Sequence, residues 1–196
     1  MHALLALFLA AAPDVCAVNL KTQLALPLQQ FDQDPKRGWR PLADKKECLA
    51  AAAELIATYR TKNWKKFKEG EAGSLNWHEG QLRAALGQNE LAAQLMAASV
   101  HADADPGSAA FLDYVLGSIA FVLRDKPGLL AARERLAKRP EPEAFAKEAA
   151  EIRAANDGNG PTWPLNLDVL DGFINCWNKP YQTAYQDLEC RKLKTP

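Results

Sequence analysis

The most reactive side chains in this 196-residue sequence belong to four cysteines and three histidines. No two cysteines have the two-residue separation of a zinc ribbon, which argues against a structural zinc site. A cysteine beside a histidine can also act as a nucleophile, and Cys48 and Cys176 are the formal candidates. Neither has a flanking signature of a cysteine hydrolase, so a hydrolase stays a minor alternative.

If the protein is exported, its cysteines are expected to form disulfide bonds. Cys176 and Cys190 are close in sequence, and a bridge between them would contribute about 3 kcal/mol through the entropy of the unfolded loop. Cys16 and Cys48 would then join the N-terminal arm to the first long helix. Four cysteines allow three pairings, and buried free thiols are the alternative.

Three short segments contain acids or histidines that could take part in catalysis or bind a metal. His78 and Glu79 are adjacent, so on a helix they point in different directions and cannot form a dyad. The segment from His101 to Asp105 resembles part of a metal site, but acids before Pro-Gly commonly solvate a turn. Residues 156–160 lack the spaced acids and the closing glutamate of a calcium loop. We therefore predict no catalytic residue, no metal and no cofactor.

The composition excludes several function classes. The sequence has no Gly-x-Ser-x-Gly elbow, phosphate-binding loop or dinucleotide fingerprint. Lysine and arginine together number 24, as do aspartate and glutamate, and this balance argues against a dedicated nucleic-acid binder. The hydrophobic fraction of 48% is enough for a core and argues against disorder.

Charge is nevertheless uneven along the chain. Residues 18–68 contain 11 lysines and arginines against 5 acids, whereas residues 69–125 contain 8 acids against 2 arginines. The basic segment, residues 60–68, also contains Trp64 and Phe67, and it is a candidate contact for an anionic partner or membrane surface. The alternative is a solvated loop whose aromatic residues dock on the core. The candidate contact residues of this segment are Arg60, Lys62, Trp64, Lys65 and Lys66.

The N-terminus predicts export. Residues 3–12 form an apolar run that is too short to cross a bilayer but suits a signal peptide, with cleavage after Ala12 or Ala17. Cleavage after Ala12 keeps Cys16 and an even number of cysteines. A buried N-terminal helix of a cytosolic protein is the alternative. No later segment is predicted to span a membrane, so we expect a periplasmic or secreted protein.

The rest of the chain reads as an irregular arm followed by helices. Prolines and a glycine punctuate residues 18–41, where Phe31 and Trp39 are candidate anchors. Helical periodicity then begins near Leu42, and no segment shows strand alternation. A helix over 109–124 is apolar nearly all round, which predicts a position in the middle of a core. The sequence thus predicts an all-α fold of antiparallel helical hairpins, with residues 1–17 a signal peptide, 18–41 an arm and 42–196 one domain.

Small and packing residues recur at a spacing that resembles the tetratricopeptide repeat (TPR), a helix–turn–helix unit of about 34 residues. The residues that carry this resemblance are Gly80, Gly87, Ala92, Met96 and Ser99. Three residues depart from the family pattern. Trp77 lies one residue from the position of the family tryptophan, Arg83 occupies the position of the family tyrosine, and Pro106 comes slightly later than the family proline. A weaker copy runs from Phe111 to Leu136 with Gly117 as the small position, so the resemblance covers residues 39–138.

The resemblance implies a short TPR-like array with a C-terminal helical cap that binds a protein or peptide in a groove. Matching positions would place Ser74, Trp77, Gln81 and Ala84 on the groove, with Phe111, Tyr114 and Ser118 from the weaker copy. Trp77, Phe111 and Tyr114 are alternatively core residues. Residues 31–40 and 180–185 are similar to flanks of exported TPR-like bacterial proteins without assigned activity. We therefore expect a non-catalytic binding module; an inhibitor or immunity-type protein that blocks a periplasmic enzyme is the alternative, and the oligomeric state is left open.

Overall fold

A computed structural model of the chain describes residues 14–68, 70–100 and 106–192. These residues form twelve α-helices and three short 3-10 helices, and no strand occurs among them. The predicted all-α class is therefore confirmed. The apolar run of the predicted signal peptide, residues 3–12, lies outside the described residues, as does the predicted cleavage site after Ala12.

Contacts between residues divide the chain into two compact units. The first, unit 1, ends at Asn63, and the second, unit 2, begins at Trp64. This boundary differs from the sequence-based one near residue 42. Because compactness does not establish independent folding, the division into an arm and one domain stays a prediction.

Unit 1 consists of one long helix and three short helices. The arm that we expected to be irregular contains two five-residue helices, because Asn19 accepts a hydrogen bond from Thr22 N and Pro27 starts the next turn. The long helix is alanine-rich, as its propensity requires. The helices are α1 (Leu20–Leu24), α2 (Leu28–Asp32), α3 (Arg40–Ala43) and α4 (Leu49–Asn63), with 3-10 turns at Asp14–Cys16 and Lys46–Cys48.

The predicted anchors of the arm are buried in unit 1. Phe31 stacks on Tyr59 of α4 with 3.7 Å between ring centroids, and the Tyr59 hydroxyl donates to Leu26 O at 2.7 Å. Trp39 Nε1 donates to the buried carboxylate of Asp32 at 3.0 Å. The arm is thus part of the core of this unit.

A disulfide joins the 3-10 turn before the arm to the 3-10 turn that precedes α4. Cys16 and Cys48 are bonded, with 5.3 Å between their Cα atoms, and both side chains are buried. This bridge is one of the two pairings that the spacing of the cysteines favoured.

Unit 2 contains the remaining eight α-helices. Its core is aliphatic and aromatic, with Leu129, Leu170 and Phe173 among the most deeply buried residues. The helices are α5 (Gly73–Ala85), α6 (Asn89–Ala97), α7 (Pro106–Val122), α8 (Lys126–Ala137), α9 (Glu143–Ala155), α10 (Leu167–Asn175), α11 (Tyr181–Gln186) and α12 (Leu188–Arg191), preceded by a 3-10 turn at Trp64–Lys66.

Consecutive helices α5 and α6, like α7 and α8, pack on each other across short turns. Gly87 follows the end of α5, in the turn before α6, at φ +74°, a conformation that glycine adopts at little cost. Asp125 begins α8 by accepting a hydrogen bond from Gly128 N at 3.0 Å.

One face of α7 is exposed, which differs from the central position that its composition predicted. Leu112, Leu116 and Leu123 are exposed, and they recur at intervals that place them on one side of the helix. The other side, with Val115 and Phe121, is buried. A helix that is apolar nearly all round can therefore still have an exposed face.

The second disulfide joins the end of α10 to α12. Cys176 and Cys190 are bonded, with 5.6 Å between their Cα atoms, and Asn175 Nδ2 donates to Cys190 O at 2.8 Å. This confirms the other favoured pairing. Disulfides are typical of proteins from oxidising compartments. No helix of the described segments has the length and apolar character needed to cross a membrane.

Candidate functional site

The aromatic residues that the TPR resemblance placed on a groove belong to the core of unit 2. Trp77 and Tyr114 are buried, and their rings contact edge to face with 5.1 Å between centroids. Phe111 contacts Trp77 at 5.5 Å and is half-buried. Their burial agrees with the alternative that these residues are core, although Phe111 also reaches a surface cavity described below.

The other residues implied for the groove divide between core and surface. Ala84 and Ser118 are buried, and the Ser118 hydroxyl donates to Tyr114 O at 2.9 Å within α7. Gln81 is half-buried beside the Tyr181 hydroxyl of α11, and Ser74 is exposed. The partner-binding role of Gln81 stays a prediction.

The basic segment spans the boundary between the two units, so its two parts are described separately. In unit 1, Arg60 is half-buried and Lys62 is exposed in the last turn of α4. In unit 2, Trp64 is 64% exposed, with Lys65 Nζ at 5.5 Å from its ring centroid, and Lys66 is exposed as well. The alternative that Trp64 docks on the core is therefore wrong, while contact with an anionic partner stays a prediction.

The candidate catalytic and metal-binding segments show no convergent chemistry among the described residues. Glu79 is buried in an ion pair with Arg83 at 3.1 Å, and its neighbour His78 is half-buried. The segment from His101 to Asp105 lies outside the described residues. Residues 156–160 are exposed, and no group of three histidine, cysteine, aspartate or glutamate side chains that could hold a metal occurs in the described segments.

The structure instead reveals an open cavity of about 300 Å³ in unit 2, which we call the aromatic pocket. It lies where α7, α9 and the loop before α10 meet. Its walls are mostly apolar and include three aromatic rings. The lining residues are Gly107, Ala110, Phe111, Pro142, Ala144, Phe145, Glu148, Trp163, Leu165 and Asn166.

Contacts with the surrounding fold hold the aromatic walls in place. Phe145 of α9 contacts Trp163 with 5.1 Å between ring centroids. Trp163 Nε1 donates to Arg139 O at 2.8 Å, which fixes the orientation of the indole. Phe111 is fixed from behind by Trp77 and Tyr114. A wall that is already ordered loses little conformational entropy when a ligand binds.

The helix α9 is attached to unit 2 mainly through this region. Among its residues only Ala149 is fully buried. The Arg153 guanidinium donates to Pro161 O at 2.5 Å, so the loop after α9 folds back along the helix. A helix with so small a buried face leaves space beside α7, and that space is the pocket.

The polar groups of the pocket are few. Glu148 is exposed at the rim and is the only charged side chain among the described residues that line the pocket, and Asn166 is half-buried. Neither side chain makes a hydrogen bond or ion pair within the described part of the chain. By contrast, the buried carboxylate of Asp113 nearby accepts hydrogen bonds at 2.7 Å from Arg135 Nε and from Arg139 Nε. A few polar groups on an apolar wall are typical of ligand sites.

Behind the pocket, burial changes the acid–base behaviour of the core. Burial raises the pKa of Tyr114 well above its ordinary value, and the neighbouring hydroxyls of Tyr181 and Tyr185 raise it further. Tyr114 therefore stays neutral at physiological pH. It supports Phe111 as a packing residue.

Sequence reasoning singled out Phe111 but missed Phe145, Glu148 and Trp163. An available signal was the amphipathic pattern of α9, where Phe145, Ala149 and Ile152 recur on one face. Trp163 follows a loop and has no periodic context, so no local pattern indicated its contact with α9.

Comparisons with protein-family models, curated proteins and solved structures found no match to this chain.

Proposed function

We propose that the protein is an exported, TPR-like module that binds a segment of a protein or peptide. The observation that carries this proposal is the aromatic pocket, an open cavity with mostly apolar walls and two polar side chains that have no partner among the residues the structure describes. Such a site suits one side chain of a partner and the backbone beside it. The role is binding, and the walls hold the bound group by burial of apolar surface.

The packing of α5 on α6 supports the TPR-like part of the proposal. A Cβ atom on Gly80 would lie 3.0 Å from Met96 Cγ and 3.2 Å from Ala92 O. These three residues are positions at which the sequence resembles the repeat. The close approach gives a physical reason for a small residue at position 80.

The two disulfides support export. Cys16 is buried in a bridge to Cys48, so a mature protein that keeps both bridges must keep Cys16. This favours cleavage after Ala12 over cleavage after Ala17. Intact-mass measurement of protein purified from its native cells, with and without reduction, should find a chain beginning at Pro13 and no free thiol. A chain that lacks Cys16, or four free thiols, would contradict the proposal of export with both bridges.

Binding is tested by capture from the native cell envelope with matched variants. We expect the wild-type protein to retain one stoichiometric partner, and Phe145→Ala to weaken retention by about tenfold or more because it removes a wall of the pocket. Leu130→Ala is the control, since Leu130 is an exposed leucine on α8 outside the pocket.

A second step separates specific binding from adventitious capture. A synthetic peptide from the captured partner should compete with the partner for wild-type protein and bind Phe145→Ala more weakly. Equal capture by both variants would show that the pocket is not the binding site. Turnover of a small substrate without any captured partner would replace the proposal with an enzymatic one.

A further inference from the structure

We propose that the aromatic pocket receives a basic side chain, lysine or arginine, of the bound peptide. The inference deepens the proposed function and rests on it for the nature of the partner. The chemistry comes from the pocket itself, where three aromatic rings and one carboxylate line the same cavity.

The aromatic walls favour a cation with an apolar stem. Phe111, Phe145 and Trp163 can contact the methylene groups of a lysine or arginine side chain. An ammonium or guanidinium group near aromatic rings is also attracted by the negative charge of their faces. A neutral aliphatic side chain would gain only the first of these contributions.

The charge at the rim also favours a cation. Glu148 has no ion-pair partner among the residues that the structure describes, and its neighbours one turn away are Ala144, Phe145, Glu151 and Ile152. None of these neighbours is basic, so its own helix does not neutralise it. Lys147 is adjacent in sequence, so its side chain leaves the helix axis in a different direction from that of Glu148.

Other charges around the pocket do not reverse its preference for a cation. The guanidinium of Arg139 is held by Asp113, and no described residue of the lining is basic. The N-termini of α7 and α9 border the cavity, and each supplies a partial positive charge of about half a unit. Glu141 and Glu143, on either side of the lining residue Pro142, add full negative charges that oppose these dipoles.

Three buried carboxylates of unit 2 have an arginine partner. Glu79, Asp113 and Asp171 each pair with an arginine of the same unit. Glu148 lines the aromatic pocket and has no such pair in the described segments. A cation from a partner would complete at Glu148 the kind of pair that the fold supplies at the other three sites.

The size of the pocket limits the occupant. A cavity of about 300 Å³ lies at the small end of the range for ligand sites. It accommodates one long side chain with its adjoining backbone. The half-buried amide of Asn166 can hydrogen-bond to that backbone or to the cationic group.

The experiment is a titration of the full protein followed by NMR, with the indole N–H of Trp163 as the reporter. The probes are a short glycine-flanked peptide with a single lysine, the same peptide with norleucine in place of lysine, and n-butylammonium chloride. We expect a saturable shift with the lysine peptide and about tenfold weaker binding of the norleucine peptide.

Two isosteric variants of α9 isolate the charge. Glu148→Gln should weaken binding of the lysine peptide by about three- to fivefold, because it removes a rim carboxylate that is open to solvent. Glu151→Gln is the matched control: it removes the same charge from an exposed residue of the same helix outside the pocket, and it should leave binding unchanged. Both residues are exposed, so neither change should affect folding.

Each other outcome overturns the inference in a distinct way. Equal binding of the norleucine peptide would make the pocket an apolar peptide site, and the proposed function would stand. Binding of n-butylammonium without either peptide would make it a site for free organic cations. If no probe caused a saturable shift at Trp163, the pocket would not bind a basic side chain. The capture experiment with Phe145→Ala would still decide whether the pocket binds a partner.

Discussion

Buried polar side chains of unit 2 have defined partners, and these contacts make the protein sensitive to single substitutions. Asp113 shows this most directly: its side chain is 2% exposed and lies between two arginines of the α8 region. Removal of a partner from a buried ion pair costs more than loss of a surface pair, because burial excludes the water that would replace it.

We expect Asp113→Ala to lower the free energy of unfolding by about 3 kcal/mol. The loss should lie toward the low end of the range for buried pairs, because Arg135 and Arg139 are 48% and 34% exposed and can regain water. Urea denaturation followed by circular dichroism measures the effect. Glu134→Gln, which removes the exposed pair with Lys138, is the control and should leave the midpoint unchanged. Equal midpoints for Asp113→Ala and wild type would refute the prediction.

The buried tyrosines predict a loss of stability at alkaline pH. Burial is the main cause that raises the pKa of Tyr181 far above its ordinary value, and the charge of Tyr185 is the second. Burial is also the main cause that raises the pKa of Tyr114. In the unfolded chain both hydroxyls titrate near about pH 10. Above that pH the unfolded state releases protons that the folded state retains, so rising pH favours unfolding.

The contribution of these tyrosines to the free energy of unfolding should therefore be constant below about pH 9 and fall as the pH rises beyond about 10. Tyr181→Phe should make this fall shallower, because one of the responsible hydroxyls is gone. Urea titrations at several alkaline pH values measure the slope, and absorbance at the tyrosinate band follows the ionisation. An identical slope in wild type and variant would mean that Tyr181 does not contribute.

Among the helices, α7 has two faces with very different environments. Its buried face packs on α8 and α10, where Phe121 stacks on Phe173 with 4.4 Å between ring centroids. Its exposed face includes Leu116, which is 41% exposed. Both faces include apolar residues, so apolar character alone does not show which face is buried.

This difference predicts unequal effects of truncation along one helix. Phe121→Ala should lower the free energy of unfolding by about 3 kcal/mol or more, since it leaves a cavity in the core. Leu116→Ala should change it by less than about 1 kcal/mol, since little area is buried there. Thermal and urea unfolding of the two variants provide the comparison. A large loss with Leu116→Ala would show that this face is covered in solution.

Each compact unit contains its own core and its own disulfide. The Cys16–Cys48 bridge separates its cysteines by 32 residues in unit 1, and the Cys176–Cys190 bridge by 14 residues in unit 2. In the chain-entropy account, closure of these loops is worth about 4 and about 3 kcal/mol, respectively.

Paired cysteine-to-alanine variants should therefore act on different parts of the chain. We expect loss of Cys176 and Cys190 to increase amide hydrogen exchange in α10, α11 and α12, and loss of Cys16 and Cys48 to increase it in α1 to α4. Hydrogen-exchange mass spectrometry measures both. If either double variant increased exchange equally in all helices, the units would not differ in local stability.

Local patterns were enough to predict the all-α class, because helical periodicity begins near Leu42 and no segment shows strand alternation. Separation along the chain favoured the two observed cysteine pairings among the three that were possible, because short loops close at a lower entropic cost. The helices within residues 18–41 were missed, since prolines there suggested an irregular arm. Pro27 in fact precedes α2, a position that proline tolerates.

The aromatic pocket could not be derived in this way. Its walls come from Phe111, Phe145 and Trp163, which belong to three separate segments of the chain. Helical periodicity follows from the 3.6-residue turn and is present in the sequence, so it shows which residues share a face. It does not show which face another helix covers, because that depends on contacts between distant segments. Those contacts buried Trp77 and Tyr114, exposed Leu116 and left an open space beside α9.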